Sequence, residues 1–249
     1  MNRLPAKAKA LVIAVILGCA ALSGYAVMQG IPSVDAKFAV LLAMAVISAR
    51  MKVKLPGIDS NMSMNLPFIL VGLVQLTMPH AIVVGVLSTF VQCLPSSGQE
   101  MKLTQAAFNV CNMGNAIGLS FFFTSAAAKT AVAAEKPALL ALAAAAFFMA
   151  DTVPVAAIIS AVEGHSMGKL WGNMALLTFP YFLLSAGVAT MIAMTSHFVG
   201  FAWGLALPVM SVVFLSFRRY MGQVDDEGFC KYQTLLLSTG GGSTLPTSP

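Results

Sequence analysis

The chain has 249 residues, of which 58% are hydrophobic and 9% charged, and its formal net charge is +5. A soluble domain carries roughly 25% charged residues, so a soluble globular fold is excluded. The basic residues flank apolar runs and are not interleaved with aromatics, which points to topology and lipid headgroups and to no nucleic acid. The composition is that of an all-α, polytopic helical membrane protein whose first partner is the lipid bilayer.

Eight apolar segments follow in chain order, at about 8–29, 35–50, 63–78, 80–95, 103–125, 138–162, 172–195 and 198–217. The first opens as MNRLPAKAKALVIAVILGCAALSG (1–24). Its basic start resembles a signal peptide, but the apolar core is long and no A-x-A site follows, so an uncleaved helix is expected. Between the second and third segments lies MKVKLPGIDSNMSMNLP (51–67). Lys52-Val53-Lys54-Leu55 alternates and Pro56-Gly57 breaks the pattern. A surface hairpin, the entry to a broken helix and a plain basic loop all fit. Pro79-His80 alone joins the third and fourth segments, so short or broken helices are expected around 63–95. The number crossing is then six to eight.

The fifth segment, LTQAAFNVCNMGNAIGLSFFF (103–123), carries amides. Gln105, Asn109 and Asn112 fall at i, i+4 and i+7, one stripe on a helix, with Asn115 close to the same face. Gly114 and Gly118 form a GxxxG pair that lets another helix approach. Lipid offers such amides no partners. A solute site and plain interhelical hydrogen bonding are both open to them.

The sixth segment reads FFMADTVPVAA at 147–157. A carboxylate inside such a run costs about 2.5–3.5 kcal/mol on insertion scales, while each Leu, Ile, Val or Phe returns about 0.3–0.6 kcal/mol. Compensation for Asp151 is expected, and the amide stripe of the fifth segment is its natural partner. Pro154 cannot donate to the carbonyl of Ala150, and an acid beside a freed carbonyl resembles the broken helices of transporters. Packing glue is the competing reading of Asp151. Glu163, His165 and Lys169 read as a solvated turn, and His80 and His197 as exposed residues of turns.

With the N-terminus placed in the cytoplasm, 11 of the 14 Lys and Arg fall on the cytoplasmic side, and both termini lie there. Residues 1–217 read as a single helical membrane domain. Residues 218–249 read as a cytoplasmic tail, largely disordered, ending in Gly, Ser, Thr and Pro. Cys19, Cys93, Cys111 and Cys230 show no metal or disulfide spacing. HExxH, GxSxG, P-loop and dinucleotide motifs are absent, so neither an enzyme nor a metal or cofactor is expected.

Three stretches carry a resemblance: VKLPGIDSNMSMNLPFILVGLVQLTMPHAIVVGVLSTFVQCL (53–94), AFNVCNMGNAIGLSFFF (107–123) and FFMADTVPVAAIISAVEG (147–164). In that order they resemble the multi-helix membrane domain found N-terminal to bacterial HD-GYP and GGDEF signalling proteins. That domain is similar to the substrate-binding subunits of energy-coupling-factor importers. The shared pattern is the LP turn before a polar stretch, Phe108-Asn109 opening a helix, and Asp151-Thr152 ahead of an apolar run ending in Glu163-Gly164. Asn is usual in the family where Asp151 stands, and the signalling output domain does not follow. The resemblance implies a multi-pass protein of the inner (cytoplasmic) membrane that binds or senses a small solute.

Three functions are therefore carried forward. In the first, a small, partly polar ligand sits between the fifth and sixth segments, held by Asp151, Asn109, Asn112, Gln105, Asn115 and Thr152. Gly114, Gly118 and Pro154 then serve packing or hinge roles, and an energising or signalling partner protein acts on the result. The second is a stand-alone secondary transporter with Asp151 as proton carrier. The third is a structural membrane protein with no ligand.

Overall fold

The computed structural model describes residues 5–30, 33–54, 61–95, 101–128 and 136–195, with Val212, Leu215, Ser216 and Arg219. The eighth apolar segment lies almost entirely outside the described residues, as do His197 and all of the 218–249 tail except Arg219. The described chain is helical apart from two three-residue strands. In order it forms α1 (Ala6–Met28), α2 (Ala36–Ser48), β1 (Lys52–Lys54), β2 (Asn61–Ser63), α3 (Leu66–Gln75), α4 (Met78–Cys93), α5 (Leu103–Ala128), α6 (Lys136–Glu163) and α7 (Met167–Thr195).

Local signals explain the boundaries. Asp35 starts α2, its Oδ1 accepting the Phe38 N–H at 2.8 Å. Pro67 and Pro79 stand in the first turns of α3 and α4, where a missing N–H loses nothing. The chain is extended at Leu76 and Thr77, so the 63–95 region forms two short helices of 10 and 16 residues. Of the readings open to 51–67, the structure has a hairpin, with Lys52 paired to Ser63, Val53 to Met62 and Lys54 to Asn61. Pro154 and Pro180 lie inside α6 and α7 without ending them. Helix six is therefore continuous at the acid, and the freed Ala150 carbonyl sits in an unbroken helix.

α5 occupies the centre, packed on α6, α4 and α1, while α3 is wrapped by α7, α2, α4 and α6. Every residue of α3 from Leu66 to Leu73 is buried. A helix apolar on all sides belongs inside, and Phe68, Ile69, Leu70 and Val71 join Leu41, Val84, Ile117 and Phe147 in the main core. Gly85 lets α4 and α5 touch, since a Cβ there runs into the Ile117 side chain.

The exterior is apolar too. Leu17, Leu176 and Leu183 are 65%, 77% and 63% exposed. Among the described residues three helices, Ala6–Met28, Ala141–Glu163 and Met167–Ile192, are long and apolar enough to cross a membrane, and exposed apolar surface on this scale fits a membrane-facing protein. His80 corrects an expectation: it is buried, stacked on Phe38 with ring centroids 4.3 Å apart, because α2 packs over the start of α4. Glu163 and His165 do form an exposed turn, 3.8 Å apart around Gly164, whose φ of 75° favours glycine.

Candidate functional site

The α5–α6 contact brings Asn112 to Asp151. Asn112 is 1% exposed, and its Nδ2 donates both to Asp151 Oδ1 at 3.0 Å and to the Asp151 carbonyl at 2.9 Å. One amide thus fixes the acid's side chain and its backbone together. Asp151 is only partly buried, because its free side borders a cavity of about 160 Å³.

Five helices and the end of the hairpin wall this cavity. Ser63, Asn65, Leu66 and Ile69 come from β2 and the start of α3, and Thr89 and Gln92 from the last turns of α4. α5 gives Asn109, Asn112 and Met113, and α6 gives Phe147, Asp151, Thr152 and Val155. Met174, Thr178, Tyr181 and Phe182 of α7 close the remaining side. The lining mixes a few polar groups with aliphatic and aromatic surface, the usual make-up of a small-molecule site.

Hydrogen bonds hold these walls rigid. Ser63 Oγ donates to Asn65 Oδ1 at 2.7 Å, Asn65 Nδ2 to Ser88 Oγ at 3.1 Å, and Ser88 Oγ to the Gly85 carbonyl at 3.1 Å. Tyr181 Oη donates to the Ser63 carbonyl at 2.9 Å and accepts from the Leu66 N–H. Thr152 Oγ1 donates to the Phe148 carbonyl at 2.6 Å and accepts from Trp171 Nε1 at 3.1 Å. Thr178 Oγ1 donates to the Met174 carbonyl at 2.8 Å. Buried polar groups of this kind are costly unless paired. Two oxygens on the cavity wall are buried without a partner among the described residues, Asn112 Oδ1 and Thr89 Oγ1.

The residues singled out from the sequence divide into groups. Asp151, Asn109, Asn112 and Thr152 line the cavity. Asn109 Nδ2 makes a long contact of 3.9 Å to Cys93 Sγ. Gln105 shares their helical face but stands in the first turn of α5, exposed and away from the cavity. Asn115 turns towards α1, its Nδ2 donating to the Val15 carbonyl at 2.9 Å. Gly114 and Gly118 face α1 as well: a Cβ would meet Cys19 Sγ at 2.8 Å in one case and Leu22 Cδ1 at 2.8 Å in the other. Pro154 lines a separate groove of about 880 Å³ between α1, α5 and α6, which is almost wholly apolar.

Ser63, Asn65, Thr89, Thr178 and Tyr181 were not legible as site residues. Ser63 and Asn65 sit in the polar run SNMSMN (60–65), which reads as loop until its continuation folds inward as α3. Tyr181 and Thr178 look like packing residues of an apolar helix. Among the described residues no cluster of three or more His, Cys, Asp or Glu is placed to hold a metal ion. No family model, curated protein or solved structure matches this chain, so the geometry alone carries the functional reading.

Proposed function

We propose that the chain is a multi-pass membrane protein that binds a small, partly polar solute in the cavity between α3, α4, α5, α6 and α7, and that it acts through a partner protein. One observation carries this reading: the carboxyl group of Asp151 is held by Asn112 at the edge of a cavity of mixed polar and apolar lining inside the helical bundle. Ionisable groups at such depth are costly and are found at substrate and ion pathways. The cavity lies towards the end of the bundle bearing the β-hairpin and the 164–166 turn, which the Lys and Arg distribution assigns to the cytoplasm. The inner membrane, cytoplasmic termini and the signalling or importer-like family belong to the same proposal.

The test uses purified protein in lipid nanodiscs. A panel of small solutes is screened by thermal shift against the wild type and Asp151→Leu. Solute-dependent stabilisation that vanishes in a variant of unchanged basal melting temperature supports the proposal. Uptake into vesicles by the protein alone, driven by a pH gradient and lost in the variant, favours the proton-coupled transporter instead. If no solute stabilises the protein and Asp151→Leu lowers its basal melting temperature, Asp151 and its amides are packing groups.

A further inference from the structure

The hydrogen-bond inventory of the cavity narrows the ligand, and this step rests on the solute-binding reading above. Most side-chain donors on its walls are already engaged within the protein. Asn112 Nδ2 serves Asp151, Asn65 Nδ2 serves Ser88, and the hydroxyls of Thr152, Thr178 and Tyr181 serve backbone carbonyls. The acceptors are not used up. Asp151 receives one side-chain donor among the described residues, and Asn112 Oδ1, on a side chain only 1% exposed, receives none. Thr89 adds a hydroxyl without a partner among the described residues, able to take either role.

The start of α3 offers nothing to an anion. A helix N-terminus ordinarily presents unpaired N–H groups, but here the Leu66 N–H is taken by Tyr181, position 67 is proline, and the N–H groups of Phe68 and Ile69 bond the Asn65 carbonyl. Among the described residues no Lys, Arg or His lines the cavity to balance Asp151. A bare metal ion would leave the apolar walls, Phe147, Phe182, Val155 and Met174, without a role. Aromatic faces also suit an organic cation.

We infer that the cavity takes a small organic cation whose N–H groups donate to the Asp151 carboxylate, with an apolar body against Phe147, Phe182 and Val155. Size sets the limit. An apolar cavity of about 150 Å³ holds benzene, so the 160 Å³ here accommodates one ring or its aliphatic equivalent and a short polar arm.

Three isosteric probes separate the possibilities: benzylammonium, benzyl alcohol and benzoate, titrated into nanodisc-embedded protein at neutral pH. Benzylammonium is expected to bind about 30-fold more tightly than benzyl alcohol, the low end for a buried hydrogen-bonded charge pair, with benzoate the weakest. Asp151→Asn keeps an acceptor for Asn112 and removes the charge, and it should bring the two leading probes within about threefold of each other. Val155→Phe, which fills the cavity, should abolish binding of all three. Benzyl alcohol or benzoate matching benzylammonium, or a preference that survives Asp151→Asn, overturns the cationic ligand and leaves the solute site standing. Absence of binding by every probe at millimolar concentration overturns both for ligands of this size.

Discussion

On the side of α5 that meets α1, Asn115 gives its N–H to the Val15 carbonyl, and Gly114 and Gly118 let Cys19 and Leu22 rest against the helix. On the side that meets α6, three residues earlier, Asn112 gives its N–H to Asp151, and open space lies beyond. Each amide leaves its oxygen without a partner among the described residues, so the amides themselves do not distinguish the two sides. Their surroundings do. Asn115 is engaged by the backbone of a neighbouring helix and borders the apolar groove, whereas Asn112, which borders both spaces, positions an ionisable group at the cavity of mixed lining. Residue type and helical spacing announce a buried amide; what stands opposite decides whether it packs or binds.

Substitutions can break or sharpen this contrast. The largest stability effect is expected from Gly118→Leu, which pushes into Leu22 and lifts α1 off α5. Overpacking of that kind costs about 1–3 kcal/mol, visible as a lower melting temperature in detergent, and an unchanged melt would show that α1 is not seated there. Next comes Tyr181→Phe, which strips partners from the Ser63 carbonyl and the Leu66 N–H. A cost of about 1–2 kcal/mol is expected, with faster hydrogen exchange at the start of α3; slow exchange there removes Tyr181 from its supporting role.

Asn115→Ala is expected to cost only about 0.6 kcal/mol, the average for an interhelical hydrogen bond. It should leave solute affinity intact, whereas Asn112→Ala reduces it. Equal losses of affinity in the two variants would erase the distinction between the sides. Asp151→Leu is placed last for stability. Asn112 Nδ2 keeps the backbone carbonyl of residue 151 at 2.9 Å as an acceptor, so the change should stay within about 0.5 kcal/mol while solute binding disappears. A loss above about 2 kcal/mol, measured by reversible unfolding, would make the acid a structural group.

Much of this arrangement could be read before any coordinates, because burial in a helical bundle leaves a direct imprint. Long apolar runs bounded by charge located α1, α6 and α7, and the i, i+4, i+7 spacing put Asn109 and Asn112 on the face that meets Asp151. The same spacing put Gln105 with them, yet one extra turn carries it past the end of the cavity, a longitudinal offset that angular periodicity does not encode. Asn115 failed for the opposite reason: a modest rotation about the axis was enough to hand it to α1. His80 looked like a turn residue, and only the packing of α2 over α4 buries it. Ser63 and Asn65 gained their places through tertiary contacts with Tyr181 and Ser88, residues far along the chain that no local pattern links to them.

The shortness of α3 bears on how the protein is made. At about 1.5 Å per residue, its 10 residues reach roughly 15 Å, half the hydrocarbon thickness of a bilayer. A segment of that length cannot hold a stable place in lipid when it leaves the ribosome. Its most extensive packing is on α7, which emerges about a hundred residues later. Synthesis therefore passes through a stage in which the hairpin and α3 wait at the membrane surface for their cover. Nascent chains stalled at Ser166 should be cut by protease between residues 61 and 75, and chains extended far enough beyond Thr195 for α7 to have left the ribosome should resist.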